Sequence, residues 1–84
     1  MHKPNDIDVI YDKIIIKLKD SNNLDVIHGI ENSSAGASTG SEGLMDQGAY
    51  LLNLKQTNPS VYYIINQEIE EYLEYCKRHG LIIK

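Results

Sequence analysis

Hydrophobic residues near the carboxyl end recur three and four positions apart, which is the spacing of one face of an α-helix. The positions that fall on this face are Val61, Tyr62, Ile65, Ile69, Tyr72, Leu73 and Cys76. Asn58 followed by Pro59 is typical of a helix start, and Gly80 is typical of the residue just beyond a helix end. The pattern predicts a helix over residues 59–79, with Leu81 and Ile82 folding back over its end.

A second helix is predicted over residues 40–56. Thr39 and Glu42 have the spacing of a capping box, and the residue before Pro59 is pushed out of helical geometry. The predicted inner face consists of Leu44, Met45, Gly48, Ala49, Leu51 and Leu52. Because Gly48 lies near the centre of this face, we expect another backbone to approach closely there.

The first segment, about residues 5–20, has two interpretations. A helical stripe is formed by Ile7, Ile10, Tyr11, Ile14, Ile15 and Leu18, and Asn5 or Asp6 would cap it. However, the β-branched runs IIIKLK and LDVIHGI could instead pair across DSNN as a β-hairpin. The helix is the preferred interpretation, with a turn or short helix over residues 24–30. Val9 and Ile16 then face away from the stripe, which predicts burial between elements or in a homodimer.

The elements together predict an all-α fold, a small bundle of three main antiparallel helices. The 84 residues are enough for a single small domain, 1–84, with a core that buries about 60–65% of the unfolded surface. Residues 31–39, rich in Ser and Gly, are predicted to be a flexible loop. The alternative fold class is α+β, with an N-terminal β-hairpin covered by two helices.

Charge and composition limit the partners and the compartment. Eight basic and 12 acidic residues give a formal charge of −4, which argues against nucleic-acid binding through phosphates. The N-terminal MHKPNDID lacks the apolar core of a signal peptide, and no apolar run approaches the roughly 18 residues of a membrane span. With a single cysteine, Cys76, the chain has no intramolecular disulfide. These features predict a cytoplasmic protein that does not bind a membrane.

The Ser/Gly-rich stretch before the second helix could be read as an anion-binding loop, because helix N-termini attract phosphates. It lacks the Gly-Lys-Ser/Thr of nucleotide-binding P-loops, and Glu42 places a carboxylate in the first helical turn. We therefore interpret the stretch as a linker plus a helix cap, and keep anion binding as a less favoured hypothesis.

No residue cluster points to catalysis or to a cofactor. Cys76 and His79 supply only two zinc ligands where three or four are required, so no metal is predicted. None of the serines in the Ser/Gly-rich stretch has a base at a recognisable spacing that could activate it as a nucleophile. These serines are Ser33, Ser34, Ser38 and Ser41. We predict that the protein is not an enzyme.

The outer surface of the last helix is the candidate functional site. Its residues are Tyr63, Ile64, Gln67, Glu70, Glu74 and Tyr75. Tyrosine is enriched at interface hot spots, and flanking carboxylates steer basic partners. The leading hypothesis is a non-catalytic protein-binding module. A narrower hypothesis is an inhibitor or immunity-type protein. It rests on an analogy of surface chemistry, since such proteins engage basic nucleases with exposed Tyr and Glu. The alternatives are a solvated helix face and a homo-oligomeric structural unit.

Overall fold

A computed structural model of the protein describes residues 6–81, which form four α-helices and contain no strand. The helices are α1 (Asp6–Asp20), α2 (Leu24–Ser33), α3 (Gly40–Thr57) and α4 (Pro59–Arg78). The all-α prediction is confirmed, and the alternative N-terminal hairpin is wrong because residues 7–30 are helical apart from a short turn. The predicted roles of Asn5 and Ile82 lie outside the described residues.

Helix α4 is the central element of the bundle, packed against α1 on one side and α3 on the other. Lys17 of α1 lies beside Glu68 of α4, while Lys13 lines a groove with Arg78, so α1 and α4 run antiparallel. Helices α3 and α4 form a hairpin about Asn58, and α2 packs against α3 and, less extensively, against α1. This arrangement leaves one face of α4 and one face of α1 toward solvent.

The hydrophobic core is built around α4. Its buried apolar residues are Ile7, Ile10, Ile14, Leu18, Val26, Ile30, Leu51, Leu54, Val61, Ile65, Ile69, Tyr72 and Cys76. The inner faces predicted for α1 and α4 are confirmed, since Tyr11, Tyr62 and Leu73 are half-buried against this core and Ile15 is half-buried. The prediction for α3 is partly wrong: Leu54 is buried and Met45 is exposed. Because α3 is covered by α2 as well as α4, its buried side is displaced from the stripe read in the sequence.

Helix α2 confirms the helical option predicted for residues 24–30 and extends it by three residues. It continues through Ser33, whose hydroxyl donates a hydrogen bond of 2.6 Å to the carbonyl of Ile30. The linker to α3 therefore begins at residue 34 and not at residue 31. The backbone approach expected at Gly48 stays a prediction, whereas at Gly29 a side chain comes close, since a Cβ there would collide with the hydroxyl of Tyr50. Gly48 itself is buried in α3.

The start of α3 confirms the threonine half of the predicted capping box. The Thr39 side chain accepts a hydrogen bond from the backbone N–H of Glu42 at 3.1 Å. Asn58 at the start of α4 makes no equivalent side-chain bond. Its backbone connects the two helices instead: its N–H donates to the Leu54 carbonyl, and its own carbonyl accepts from Tyr62.

Helix α4 ends in a Schellman motif. Gly80 has a φ of 75°, in the left-handed region that favours glycine. The N–H of Gly80 donates to the carbonyl of Lys77 at 3.1 Å, and the N–H of Leu81 donates to the carbonyl of Cys76 at 2.8 Å. The predicted return of the chain is confirmed for Leu81, whose side chain packs against the core.

Replacing Gly80 with alanine is expected to lower the free energy of unfolding by about 1 kcal/mol, since a Cβ is disfavoured at this φ. Gly36→Ala is the matched control, because its Cβ would meet no atom within 4 Å and its φ is not positive. Urea denaturation of both variants measures the difference. Equal stabilities of the two variants would contradict the prediction.

Candidate protein-interaction surface

Tyr63 is the most exposed large side chain of the candidate site. Its exposed fraction is 79%, whereas Tyr72 on the same helix is fully buried. The two tyrosines are nine residues apart, which is two and a half helical turns, so they point to opposite sides of α4. The predicted outward orientation of Tyr63 therefore follows from the same periodicity that buries Tyr72.

A kink at Ile65 divides the predicted site between two parts of α4. The backbone there is non-helical, with φ −116° and ψ 19°, although the side chain is fully buried. Residues 60–79 contain neither proline nor glycine, so neither of these usual causes accounts for the kink. Tyr63 and Ile64 precede the kink. Ile64 is 36% exposed, and the pair presents an aromatic and an aliphatic surface side by side.

The polar part of the site follows the kink. Gln67, Glu70 and Glu74 are exposed, and neither carboxylate is in an ion pair among the described residues. Glu74 and Arg78 have the spacing of a helical ion pair, but the structure does not join them; both line a groove beside α1. The acidic face is thus free to meet an external cation.

Tyr75 differs from the other predicted site residues. It is half-buried against the core, and its ring lies 4.3 Å from the ring of His79 at an interplanar angle of 31°. Tyr75 is therefore partly engaged within the chain and offers less contact area than Tyr63.

Glu68 was missed as a distinctive residue, because the sequence places it only on the flank of the core stripe. Its side chain is 6% exposed, and Oε2 lies 2.8 Å from Nζ of Lys17, whose side chain is 43% exposed. The other carboxylate oxygen, Oε1, is buried without a hydrogen-bond partner in the described structure. A carboxylate buried in this way depends on the lysine of α1 for its stability.

An open groove of about 400 Å³ lies between α1 and α4. It is lined by Val9, Ile10, Lys13, Glu71, Glu74 and Arg78. Two basic and two acidic side chains share its walls with two apolar ones, so the groove carries no net charge. It borders the candidate site at Glu74, and sequence reasoning missed it because it forms only where α1 meets α4.

The Cys76 thiol and the Tyr72 hydroxyl are held inside the fold. Cys76 is fully buried, and burial raises the pKa of its thiol. The hydroxyl of Tyr72 donates toward the Leu44 carbonyl at 3.1 Å and Oε1 of Gln47 at 3.0 Å, and burial raises its pKa as well. No group of three His, Cys, Asp or Glu side chains within residues 6–81 is placed to hold a metal ion.

Residues 6–81 form a small bundle of four helices, with an exposed tyrosine and exposed glutamates on the last of them. Helices in the described range are all too short or too polar to cross a membrane. The chain matches no protein-family model, no curated protein and no solved structure.

Proposed function

We propose that this protein is a non-catalytic protein-binding module that captures a basic partner on the outer face of α4. The observation that carries the proposal is the exposure of the Tyr63 ring beside the partly exposed Ile64. Tyrosine offers a large amphipathic contact area and is over-represented among interface hot spots. Tyr63 and Ile64 are therefore the proposed apolar anchor.

Electrostatics favour a basic partner. Glu70 and Glu74 are exposed beyond the kink, and the whole chain carries a formal charge of −4. Unpaired carboxylates next to an apolar anchor speed the encounter with a cationic surface and form the polar rim of an interface. Gln67 adds a donor and an acceptor between the anchor and the acids.

The non-catalytic part of the proposal rests on where the reactive groups lie. The single thiol is in the core, and the Tyr72 hydroxyl is engaged by α3. A narrower version of the proposal is an inhibitor or immunity-type protein that blocks a basic enzyme. A gene for a secreted basic toxin next to this one would support that version.

Tyr63→Ala is expected to weaken binding of the partner about 30-fold or more, the loss typical of a hot-spot residue. The fold should be unchanged because the side chain packs on so little of the protein. Partners are captured from a lysate of the native cells by the tagged wild type, and the dissociation constant of each purified candidate is then measured.

Glu70→Ala should mainly slow association and reduce its dependence on salt.

Glu31→Ala on α2 is the control, since it removes an exposed carboxylate from a different helix. A genuine partner binds this control as well as it binds the wild type. If every captured protein binds the Tyr63 variant and the control equally, the proposed surface is wrong.

A further inference from the structure

The outer face of α1 carries two exposed aliphatic side chains that the fold does not cover. Val9 is 39% exposed and Ile16 is 57% exposed. They are seven residues apart and therefore lie on the same side of the helix, opposite the buried Ile7, Ile14 and Leu18. This face is separate from the Tyr63 surface of α4, so a role for it does not depend on the proposed function.

Four exposed charges flank this apolar line: Asp12, Lys13, Lys19 and Asp20. At 100° per residue, Asp12 and Lys19 lie on one side of the line, while Lys13 and Asp20 lie on the other. Each side thus carries one acid and one base, seven residues or about 10 Å apart along the helix, too far to pair within it. None of the four forms an ion pair elsewhere in residues 6–81.

We infer that a second copy of this chain docks on the outer face of α1 in antiparallel orientation, with the two-fold axis at Ile16. The two Ile16 side chains then meet at the axis. Lys13 then lies within one residue of the level of the copy's Asp20 and pairs with it. In the same way, Asp12 pairs with the copy's Lys19. A two-fold axis across antiparallel helices keeps each flank against the same flank of the copy, so four ion pairs form around one apolar contact.

The helix dipoles favour the antiparallel orientation over the parallel one, because side-by-side dipoles repel each other when the helices point the same way. A parallel pair would join different charges, Asp12 to Lys13 and Lys19 to Asp20 of the copy. The two orientations are therefore distinguishable by exchanging charges.

The contact is small. The 15 residues of α1 form a strip about 22 Å long and about 10 Å wide, which is an area of about 220 Å². This area is well below the roughly 800 Å² that each partner contributes to a stable interface. The dimer is accordingly weak, with a dissociation constant on the order of 0.1–1 mM. It forms where the protein is locally concentrated.

Sedimentation equilibrium and concentration-dependent amide shifts, measured up to about 1 mM protein, test the inference. The wild type should dimerise, with shifts concentrated in residues 9–20. Ile16→Asp should weaken dimerisation at least about tenfold, because it places two carboxylates at the axis. Gln56→Asp, which also adds one negative charge at an exposed position of α3, should leave it unchanged.

Charge exchange tests the register. Lys13→Asp and Asp20→Lys should each weaken the dimer several-fold, and the double variant should recover the wild-type constant because each new charge meets its opposite on the copy. A strictly monomeric wild type at about 1 mM overturns the inference. Three other results would also overturn it. They are a dimer that Ile16→Asp does not weaken, a double variant that dimerises more weakly than either single variant, and an α1 face that binds a different protein instead of a second copy.

Discussion

Replacing Tyr72 with alanine is expected to lower the free energy of unfolding by about 3–5 kcal/mol. The tyrosine is fully buried on α4 and its hydroxyl reaches α3, so the substitution removes a large core side chain and an interhelical hydrogen bond together. A domain of this size has a total stability of only about 4–12 kcal/mol. The variant should therefore melt at least about 12 °C below the wild type or lose its cooperative transition.

Tyr63→Ala is the matched control, since it deletes the same side chain from the same helix on the exposed side. Its melting temperature should stay close to that of the wild type. Circular dichroism and calorimetry of both variants measure the contrast. Similar losses in the two variants would mean that the inner and outer faces of α4 are assigned incorrectly.

Tyr72→Phe separates the hydroxyl from the ring. It keeps the core filled but removes the hydroxyl that donates to the Gln47 and Leu44 oxygens, at a cost of about 1–2 kcal/mol near neutral pH. Burial raises the pKa of Tyr72 above that of an unfolded tyrosine, so its neutral form stabilises the fold fully below about pH 10 and progressively less above it. The stability difference between wild type and Tyr72→Phe should therefore shrink as the pH rises beyond about 10. A difference that stays constant up to pH 11 would contradict this.

The second large effect is expected at the ion pair between α1 and α4. Lys17→Met should destabilise the protein by about 1–3 kcal/mol, because it leaves the carboxylate of Glu68 buried without its cation. The expected loss is below that of a fully buried pair because solvent reaches the half-exposed lysine. Glu68→Met, in contrast, should be neutral or stabilising, since it also removes the unpartnered Oε1 from the interior.

A double-mutant cycle measured by urea denaturation checks this asymmetry. Lys17→Met should cost much less in the Glu68→Met background, because the stranded charge is then absent. Lys77→Met, on an exposed position at the end of α4, controls for the loss of a lysine in general. If Lys17→Met proves neutral or Glu68→Met proves the more damaging change, Glu68 is not held by Lys17 as the structure shows.

The two proposed surfaces have different centres, and they adjoin at the groove that Val9 and Lys13 share with Glu74. The α4 surface rests on Tyr63 and Ile64, and the α1 surface rests on Ile16 and the four charges Asp12, Lys13, Lys19 and Asp20. Tyr63→Ala and Ile16→Asp lie outside this groove, and each should leave the other function intact. A capture assay and a sedimentation assay on these two variants would therefore assign each surface separately.

The sequence by itself determined the fold class and the orientation of α4. Helical periodicity placed Val61, Ile65 and Tyr72 inside and Tyr63 outside, because the direction of a side chain on a helix follows from its position alone. The end of α4 and the Thr39 cap were also predictable, since a glycine with positive φ and a threonine hydroxyl at a helix start act within a few residues of the chain.

Only the tertiary structure decided which borderline positions are covered. Glu68 is buried because Lys17 of α1 lies beside it, and Met45 is exposed because α2 and α4 cover a different side of α3. Val9 and Ile16 stay exposed because no other helix of residues 6–81 lies over them. These outcomes depend on contacts between segments far apart in the sequence, and local periodicity contains no information about which neighbour will be present.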